Sequence, residues 1–214
     1  MHSKRWLQEH FKDLYVKRSQ AEGYVSRAAY KLLEIQQKDR IFCPGMRVLD
    51  LGSAPGGWSQ VARECVGKNG QVVASDILPM TPLQDVLFVQ GDFTQQPVLD
   101  DILTVLSGEQ LDIVISDMAP NLSGQKSIDQ PRSVYLVELA WDCAQKVLAL
   151  GGSFLVKIFQ GEGVDVLIAE MKPYFKQIKF RKPAASRARS REVYILGTGF
   201  MRYNGNSCLE GQEL

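Results

Sequence analysis

The sequence predicts an α/β protein in which strands and helices alternate around a mostly parallel seven-stranded sheet with helices on both faces. Three observations carry that reading. Residues 47–58, Arg-Val-Leu-Asp-Leu-Gly-Ser-Ala-Pro-Gly-Gly-Trp, read as a buried strand, a glycine turn and the start of a helix. Strand-like runs recur at 71–75, 86–90, 111–116, 153–159, 176–182 and 193–196, most of them separated by helical patterns. Strands alternating with helices build parallel sheets. Asp50, Asp76, Asp92 and Asp117 each stand at or just past the carboxyl end of one of the first four strands, where open α/β sheets bind ligands.

Element by element, residues 3–20 show Trp6, Leu7, His10, Phe11, Leu14 and Tyr15 at helical spacing, and Gly23 ends that element. Ser26 is a candidate N-cap for a second helix, Arg27–Lys38, with Ala28, Leu32 and Ile35 facing the core. Lys31 in this helix reads, from its own stretch, as a solvent-facing lysine. Pro44-Gly45 turns the chain into the first strand, and a helix follows from Ser59. Asp92 follows the third strand, either as a ligand-facing acid or as a helix N-cap before the helix Val98–Leu106. After the fourth strand, Ser123–Asp129 is a polar loop, and Pro131 opens a long helix to Leu150 with Gly151-Gly152 past its end. Lys157 interrupts the fifth strand, and a charge in a core strand is costly unless it faces a cleft or a partner. A helix over Asp165–Tyr174 precedes the last two strands, and Glu192 opens the final one beside the strand of Lys157.

The glycine turn suits a cofactor cradle, because glycines let a ligand approach the main chain and the helix start offers unpaired N–H groups. The glycines alone fit an ordinary strand–turn–helix corner equally well; the strand-end acids decide for a ligand. A dinucleotide fingerprint would read G-x-G-x-x-G. Here the spacing is G-x-x-x-G-G, with Pro55 removing a donor where a pyrophosphate would be wrapped. A ligand without phosphates, S-adenosylmethionine, fits better. Asp76 lies 20 residues past Gly56, where a carboxylate grips a ribose diol in any adenosine cofactor, and Asp92 is placed to reach an adenine amino group.

With 214 residues, 45% of them hydrophobic, the chain can bury a core. Nothing approaches the roughly 20 apolar residues of a membrane helix, and the first residues lack a signal-peptide core. Cys43, Cys65, Cys143 and Cys208 form no C-x-x-C pair and suit free thiols in a reducing cytosol. His2 and His10 are the only histidines, so no metal site is expected. The net charge of +1 hides an asymmetry. Residues 1–40 carry nine basic against five acidic side chains, residues 41–171 seven against sixteen, and residues 172–202 nine against one. The acidic middle suits a cationic cofactor and the basic ends a polyanion. The candidate polyanion contacts are Lys4, Arg5, Arg27, Lys182, Arg187, Arg189 and Arg191. Three regions follow: a basic helical extension over 1–40 packed on the core, a main domain over 41–200, and a disordered tail over 201–214.

Several strings go further: Asp50-Leu-Gly-Ser-Ala-Pro-Gly-Gly-Trp-Ser-Gln, Ser116-Asp-Met-Ala-Pro-Asn, Gly151-Gly-Ser-Phe-Leu-Val-Lys, Phe159-Gln-Gly-Glu and Ser186-Arg-Ala-Arg-Ser-Arg-Glu-Val-Tyr. Together they resemble the FtsJ family of S-adenosylmethionine-dependent RNA 2′-O-methyltransferases, from about Trp6 to Gly197, with Ser53 where Ala is expected. The resemblance implies the class I methyltransferase (Rossmann-like) fold and a catalytic Lys-Asp-Lys-Glu tetrad at Lys31, Asp117, Lys157 and Glu192. It implies cofactor contacts from Gly56, Trp58, Asp76, Asp92 and Asp117, to which the loop residues Gly52, Ala54 and Pro55 and the neighbouring Phe93 are added. It also implies a substrate: a ribose 2′-hydroxyl, expected on a uridine of large-subunit ribosomal RNA in the assembled or late-assembly 50S subunit, with transfer RNA or a cap as the alternative within the same family. The cysteine usage points to the cytoplasm, and no large apolar surface repeat is visible, which points to a monomer.

On that assignment Lys157 takes or orients the hydroxyl proton. A general base works best with a pKa near the working pH, which for lysine means a shift down from about 10.4. Lys31 pushes that way; Asp117 and Glu192 push the other way, and the net is open. Methylation of an exocyclic amine would call for Asn/Asp-Pro-Pro-aromatic where this chain has Asp117-Met-Ala-Pro. An NAD(P)-linked oxidoreductase would show the missing glycine fingerprint, and an inert RNA-binding module would have lost a member of the tetrad.

Overall fold

The computed structural model describes residues 15–186 and 190–202. A helix over residues 15–22 (α1) is followed by α2 (Ala29–Asp39), β1 (Arg47–Leu51), α3 (Gly57–Val66), β2 (Gln71–Asp76) and β3 (Leu87–Gln90). Then come α4 (Gln96–Val105), β4 (Leu111–Ser116), α5 (Lys126–Val147), β5 (Leu148–Phe159), α6 (Val164–Met171), β6 (Phe175–Arg181) and β7 (Glu192–Phe200). The expectations for residues 3–14, for the tail 203–214 and for Lys4, Arg5, Arg187 and Arg189 lie outside the described residues.

The seven strands form one sheet in the order β3-β2-β1-β4-β5-β7-β6. The first five strands run parallel, and β7 pairs antiparallel with both β5 and β6. The order reverses between β1 and β4, the place where a crevice opens at the carboxyl ends of such sheets. This is the α/β, Rossmann-like architecture expected from the sequence.

Side chains alternate across a strand with period two, and that alternation sorts the core into two layers. Leu49, Leu51, Val114, Phe154, Val156, Val193 and Ile195 pack with α4, α5 and α6, where Trp141, Ala144 and Leu167 meet them. Val48, Ile113, Ile115, Leu155, Tyr194 and Leu196 pack with α2 and α3, against Ala29, Leu32, Ile35 and Val61. Each fully buried large apolar side chain is worth roughly 1.5–3 kcal/mol. Asp50, Asp117, Lys157 and Glu192 share their strand parity with the second layer, so the same alternation that buries the core aims them at the α2–α3 face.

Several boundaries differ from the sequence reading. Ser26 does not cap α2; the helix starts at Ala29, reached through a tight turn in which the Ala29 amide donates to the Ser26 carbonyl. Asp92 does not cap α4 either: its carboxylate accepts from the Thr94 amide and hydroxyl, and the helix begins after Gln95. Pro131 lies inside α5 and does not open it. The extra turn before the proline is anchored by Asp129, whose carboxylate accepts from the Ser123 amide, the Ser123 hydroxyl and the Gly124 amide. β5 begins at Leu148, before the glycine pair; Gly151, at φ 83°, takes the left-handed conformation of a bulge that shifts the register against β4. α6 stops at Met171, and residues 172–174 tighten into a 3-10 turn because Pro173 cannot continue an α-helix.

Candidate active site

The cradle is built from backbone. Gly52 and Gly56 adopt φ of 71° and 109°, a region that suits glycine. A Cβ on Gly52 would sit 2.1 Å from Met118 Cγ, and one on Gly56 would sit 2.8 Å from Leu83 Cδ1. Bare backbone is therefore required at both places, with Met118, Met80 and Leu83 closing over it. Gly56 also caps α3, and no side chain occupies that cap. Asp76 fixes the turn: one carboxylate oxygen accepts from the Ala54 amide at 2.9 Å and the other from the Leu78 amide at 2.8 Å. Each oxygen keeps a lone pair for another donor. The Ala54–Pro55 peptide is cis.

Beneath the turn lies buried polarity without partners. Ser59 Oγ donates to Asp50 Oδ2 at 2.6 Å, while Asp50 Oδ1 and the hydroxyls of Ser53 and Ser75 have no hydrogen-bond partner. Burial pushes the Asp50 carboxyl up to about 7; the Ser59 hydrogen bond opposes this, and the charges of Asp117 and Asp76 add to it. Buried polar atoms are rarely left unsatisfied. Together with the two glycines, they fit a ligand that offers donors and approaches the main chain closely, as the hydroxyl and amino groups of S-adenosylmethionine do.

Four ionic side chains meet beside the cradle. Lys31 Nζ lies 2.8 Å from Glu192 Oε1 and 3.7 Å from Asp117 Oδ2. Lys157 Nζ lies 3.0 Å from Asp117 Oδ1 and also donates to the Asp117 carbonyl. Lys31 is only 8% exposed, which corrects its reading as a solvent-facing residue; α2 packs that face onto the sheet. Lys157 pairs with Tyr194 across β5 and β7, and Glu192 follows two residues before Tyr194 on the same face. Burial opposes the charge of Glu192, but Lys31, Lys157 and the Ser186 hydroxyl together hold its carboxyl below the usual range.

Tyr194 is the residue that sequence reasoning missed. Its hydroxyl donates to Asp117 Oδ1 at 2.7 Å and approaches Glu192 Oε1 at 3.3 Å. Burial, then the charges of Asp117 and Glu192, push its hydroxyl well above the ordinary tyrosine value, so it stays a donor. The available signal was its i, i+2 spacing from Glu192 on a strand. Trp58 is 3% exposed, gives its N–H to the Ala28 carbonyl and lies 5.5 Å from the Tyr194 ring. It thus backs the ionic cluster. Phe93 is buried in the α4–α5 layer, next to Asp92 at the end of β3.

The basic candidates that fall among the described residues have intramolecular work. Lys182 Nζ donates to the Ser190 and Glu192 carbonyls. Arg191 Nη1 donates to the Gln160 carbonyl and approaches Gln130 Oε1. Lys182 thus ties one end of the β6–β7 connection to the other, and Arg191 ties the start of β7 to the end of β5 and to α5. Arg27 is half-buried in the turn before α2.

Residues 24–200 match the FtsJ-like methyltransferase model. The chain is 59% identical over 207 residues to the ribosomal RNA large subunit methyltransferase E of Coxiella burnetii (strain RSA 331 / Henzerling II), covering 95% of this chain and 98% of that protein. It is 57% identical over 199 residues to the protein of the same name from Cellvibrio japonicus, covering 93% and 94%. A crystal structure described as a ribosomal RNA methyltransferase from Plasmodium falciparum superposes with a TM-score of 0.75 at 29% identity, over 83% of this chain and 98% of that one. With its glycine cradle, its strand-end acids and this extent of likeness, the chain belongs to the FtsJ-like methyltransferase family.

Proposed function

We propose that this protein transfers a methyl group from S-adenosylmethionine to a ribose 2′-hydroxyl, that of a uridine in the large-subunit ribosomal RNA, on the assembled or nearly assembled 50S subunit, working as a cytoplasmic monomer. The observation that carries the reading is the meeting of Lys31, Asp117, Lys157 and Glu192 within ion-pair distance beside the glycine cradle. The relatives named ribosomal RNA large subunit methyltransferase E support the choice of RNA.

When bound, S-adenosylmethionine supplies an electrophilic methyl on a sulfonium. Gly52, Ala54, Pro55, Gly56, Asp76, Asp92 and Asp117 are the residues that would hold it, with Trp58 and Phe93 behind them. The 2′-hydroxyl is a weak acid and a poor nucleophile. Lys157 takes the hydroxyl proton in its neutral amine form, having first released its own ammonium proton to solvent, so that the oxygen is left free to accept the methyl group the cofactor would supply. Asp117 orients Lys157. Lys31, held by Glu192, places positive charge where the oxygen becomes negative, and such preorganised charge acts without reorganising during the reaction. Holding both reactants in line supplies much of the rate.

The test is transfer of labelled methyl to purified large subunits, to free ribosomal RNA and to transfer RNA, followed by nuclease and alkali mapping. A single labelled alkali-resistant dinucleotide in large-subunit RNA is the expected result. Label in a base overturns the hydroxyl chemistry, and absence of transfer overturns the enzyme reading. Lys157→Ala is expected to lower kcat by a factor on the order of 100 or more, the scale of a lost proton-transfer group, with cofactor affinity retained. Near-normal turnover by that variant would remove Lys157 from the mechanism.

A further inference from the structure

We propose that Ser186 and Glu34 are positioning residues that lock Glu192, and through it Lys31, into the geometry needed for methyl transfer; this rests on the function proposed above. Neither belongs to the ionic tetrad, yet both close a ring around half of it. Ser186 is 7% exposed, and its hydroxyl donates to Glu192 Oε1 at 2.9 Å. That same oxygen receives Lys31 Nζ at 2.8 Å. Ser186 comes from the connection between β6 and β7, where its amide donates to the Pro183 carbonyl in a turn over residues 183–186.

A strap of this kind holds a hydroxyl in place only if it is tied down, and Glu34 ties it. One oxygen of the Glu34 carboxylate accepts from the Ala184 amide at 2.5 Å and the other from the Ala185 amide at 2.9 Å. Glu34 stands three residues after Lys31 on α2, and residues at that spacing are neighbours on a helix surface. One helix thus delivers the lysine of the ion pair and the carboxylate that fixes the hydroxyl on the other side of it. The ring runs from Lys31 to Glu192, to Ser186, through the Ala185 and Ala184 backbone to Glu34, and back along α2.

The groups facing Glu192 are Lys31 from α2, Lys157 from β5, Asp117 after β4, and Tyr194 on its own strand. With so many partners the carboxylate has several possible directions, and the Ser186 hydrogen bond selects the one that serves Lys31. Removing a hydrogen bond to the charged form of an acid raises its pKa, so loosening the strap moves the Glu192 titration upward.

The experiment uses the full-length protein and the variants Ser186→Ala, Ser186→Thr and Glu34→Gln. It measures methyl transfer to large subunits, S-adenosylmethionine affinity by calorimetry, and the Glu192 carboxyl titration by ¹³C NMR. Ser186→Ala is expected to lower kcat about tenfold, the scale of one hydrogen bond to a charged group, with KM for the subunit and cofactor affinity held. The Glu192 titration should move upward, and Ser186→Thr, which keeps the hydroxyl, should restore both. Glu34→Gln, a partly exposed change that leaves the core alone, should shift kcat and the titration in the same direction by less. An unchanged kcat in Ser186→Ala and Glu34→Gln, or a Glu192 titration that stays put, overturns the proposal. If the wild-type protein transfers no methyl to RNA, the function proposed above fails, while the titration still judges the ring.

Discussion

Asp50 and Tyr194 show what burial does to single groups. Burial moves the Asp50 carboxyl from its ordinary value of 3.8 to about 7, so the folded protein holds a proton that the unfolded chain releases. A raised acid contributes stability below its unfolded pKa and loses that contribution as pH climbs through the folded value. Wild-type stability attributable to Asp50 therefore declines between about pH 4 and pH 7. Asp50→Asn removes the titration while keeping an oxygen for Ser59. Its melting temperature relative to wild type should rise between pH 5 and pH 8, and a gap independent of pH would refute the assignment. Tyr194 works by donation. Tyr194→Phe takes one donor from two carboxylates and should cost about 1–3 kcal/mol in denaturant unfolding, together with a lower kcat. A variant with full stability and full turnover would make the hydroxyl dispensable.

At the scale of elements, α2 is joined to the far edge of the sheet through Asp39, which pairs with Arg181 and lies 4.0 Å from Lys179. Arg181 at the end of β6 donates from Nε to Asp39 Oδ2 and from Nη2 to Asp39 Oδ1, each at 2.6 Å. The Asp39 side chain is 5% exposed. The Arg181 hydrogen bonds, opposed by partial burial, hold the Asp39 carboxyl below its ordinary value. Bidentate guanidinium–carboxylate pairs are geometrically specific, and this one fixes the helix that carries Lys31 and Glu34. Arg181→Ala should destabilise the protein by about 2 kcal/mol and lower methyl transfer through α2. Unchanged unfolding midpoints and kcat would show that packing of Leu32 and Ile35 alone suffices.

Across the whole molecule, charge divides as the chain does. Nine of the ten charged residues in 172–202 are basic, and 41–171 is strongly acidic. RNA neutralised by lysine and arginine releases counterions, so affinity for the subunit should fall by roughly tenfold or more between 50 and 200 mM salt. Affinity for S-adenosylmethionine, which has no phosphates and whose proposed site lies in the acidic middle, should change little over that range. Parallel salt dependence of the two would place both ligands on one charged surface.

Much of this was legible in the chain because it depends on neighbours a few residues apart. The strand–glycine–helix turn, the strand-end acids and the alternation of elements follow from local sterics and apolar periodicity, and so did the suspicion about Lys157, a charge inside an apolar run. Lys31 and Tyr194 were not legible in that way. Each reads locally as ordinary, a lysine on a helix and an aromatic in a strand. Their roles arise because β4, β5 and β7 pair in that order and α2 lies across them, bringing residues 31, 117, 157, 192 and 194 together. Those pairings span well over a hundred residues of chain. They are selected by the sum of many buried contacts, none of which any short stretch of sequence records.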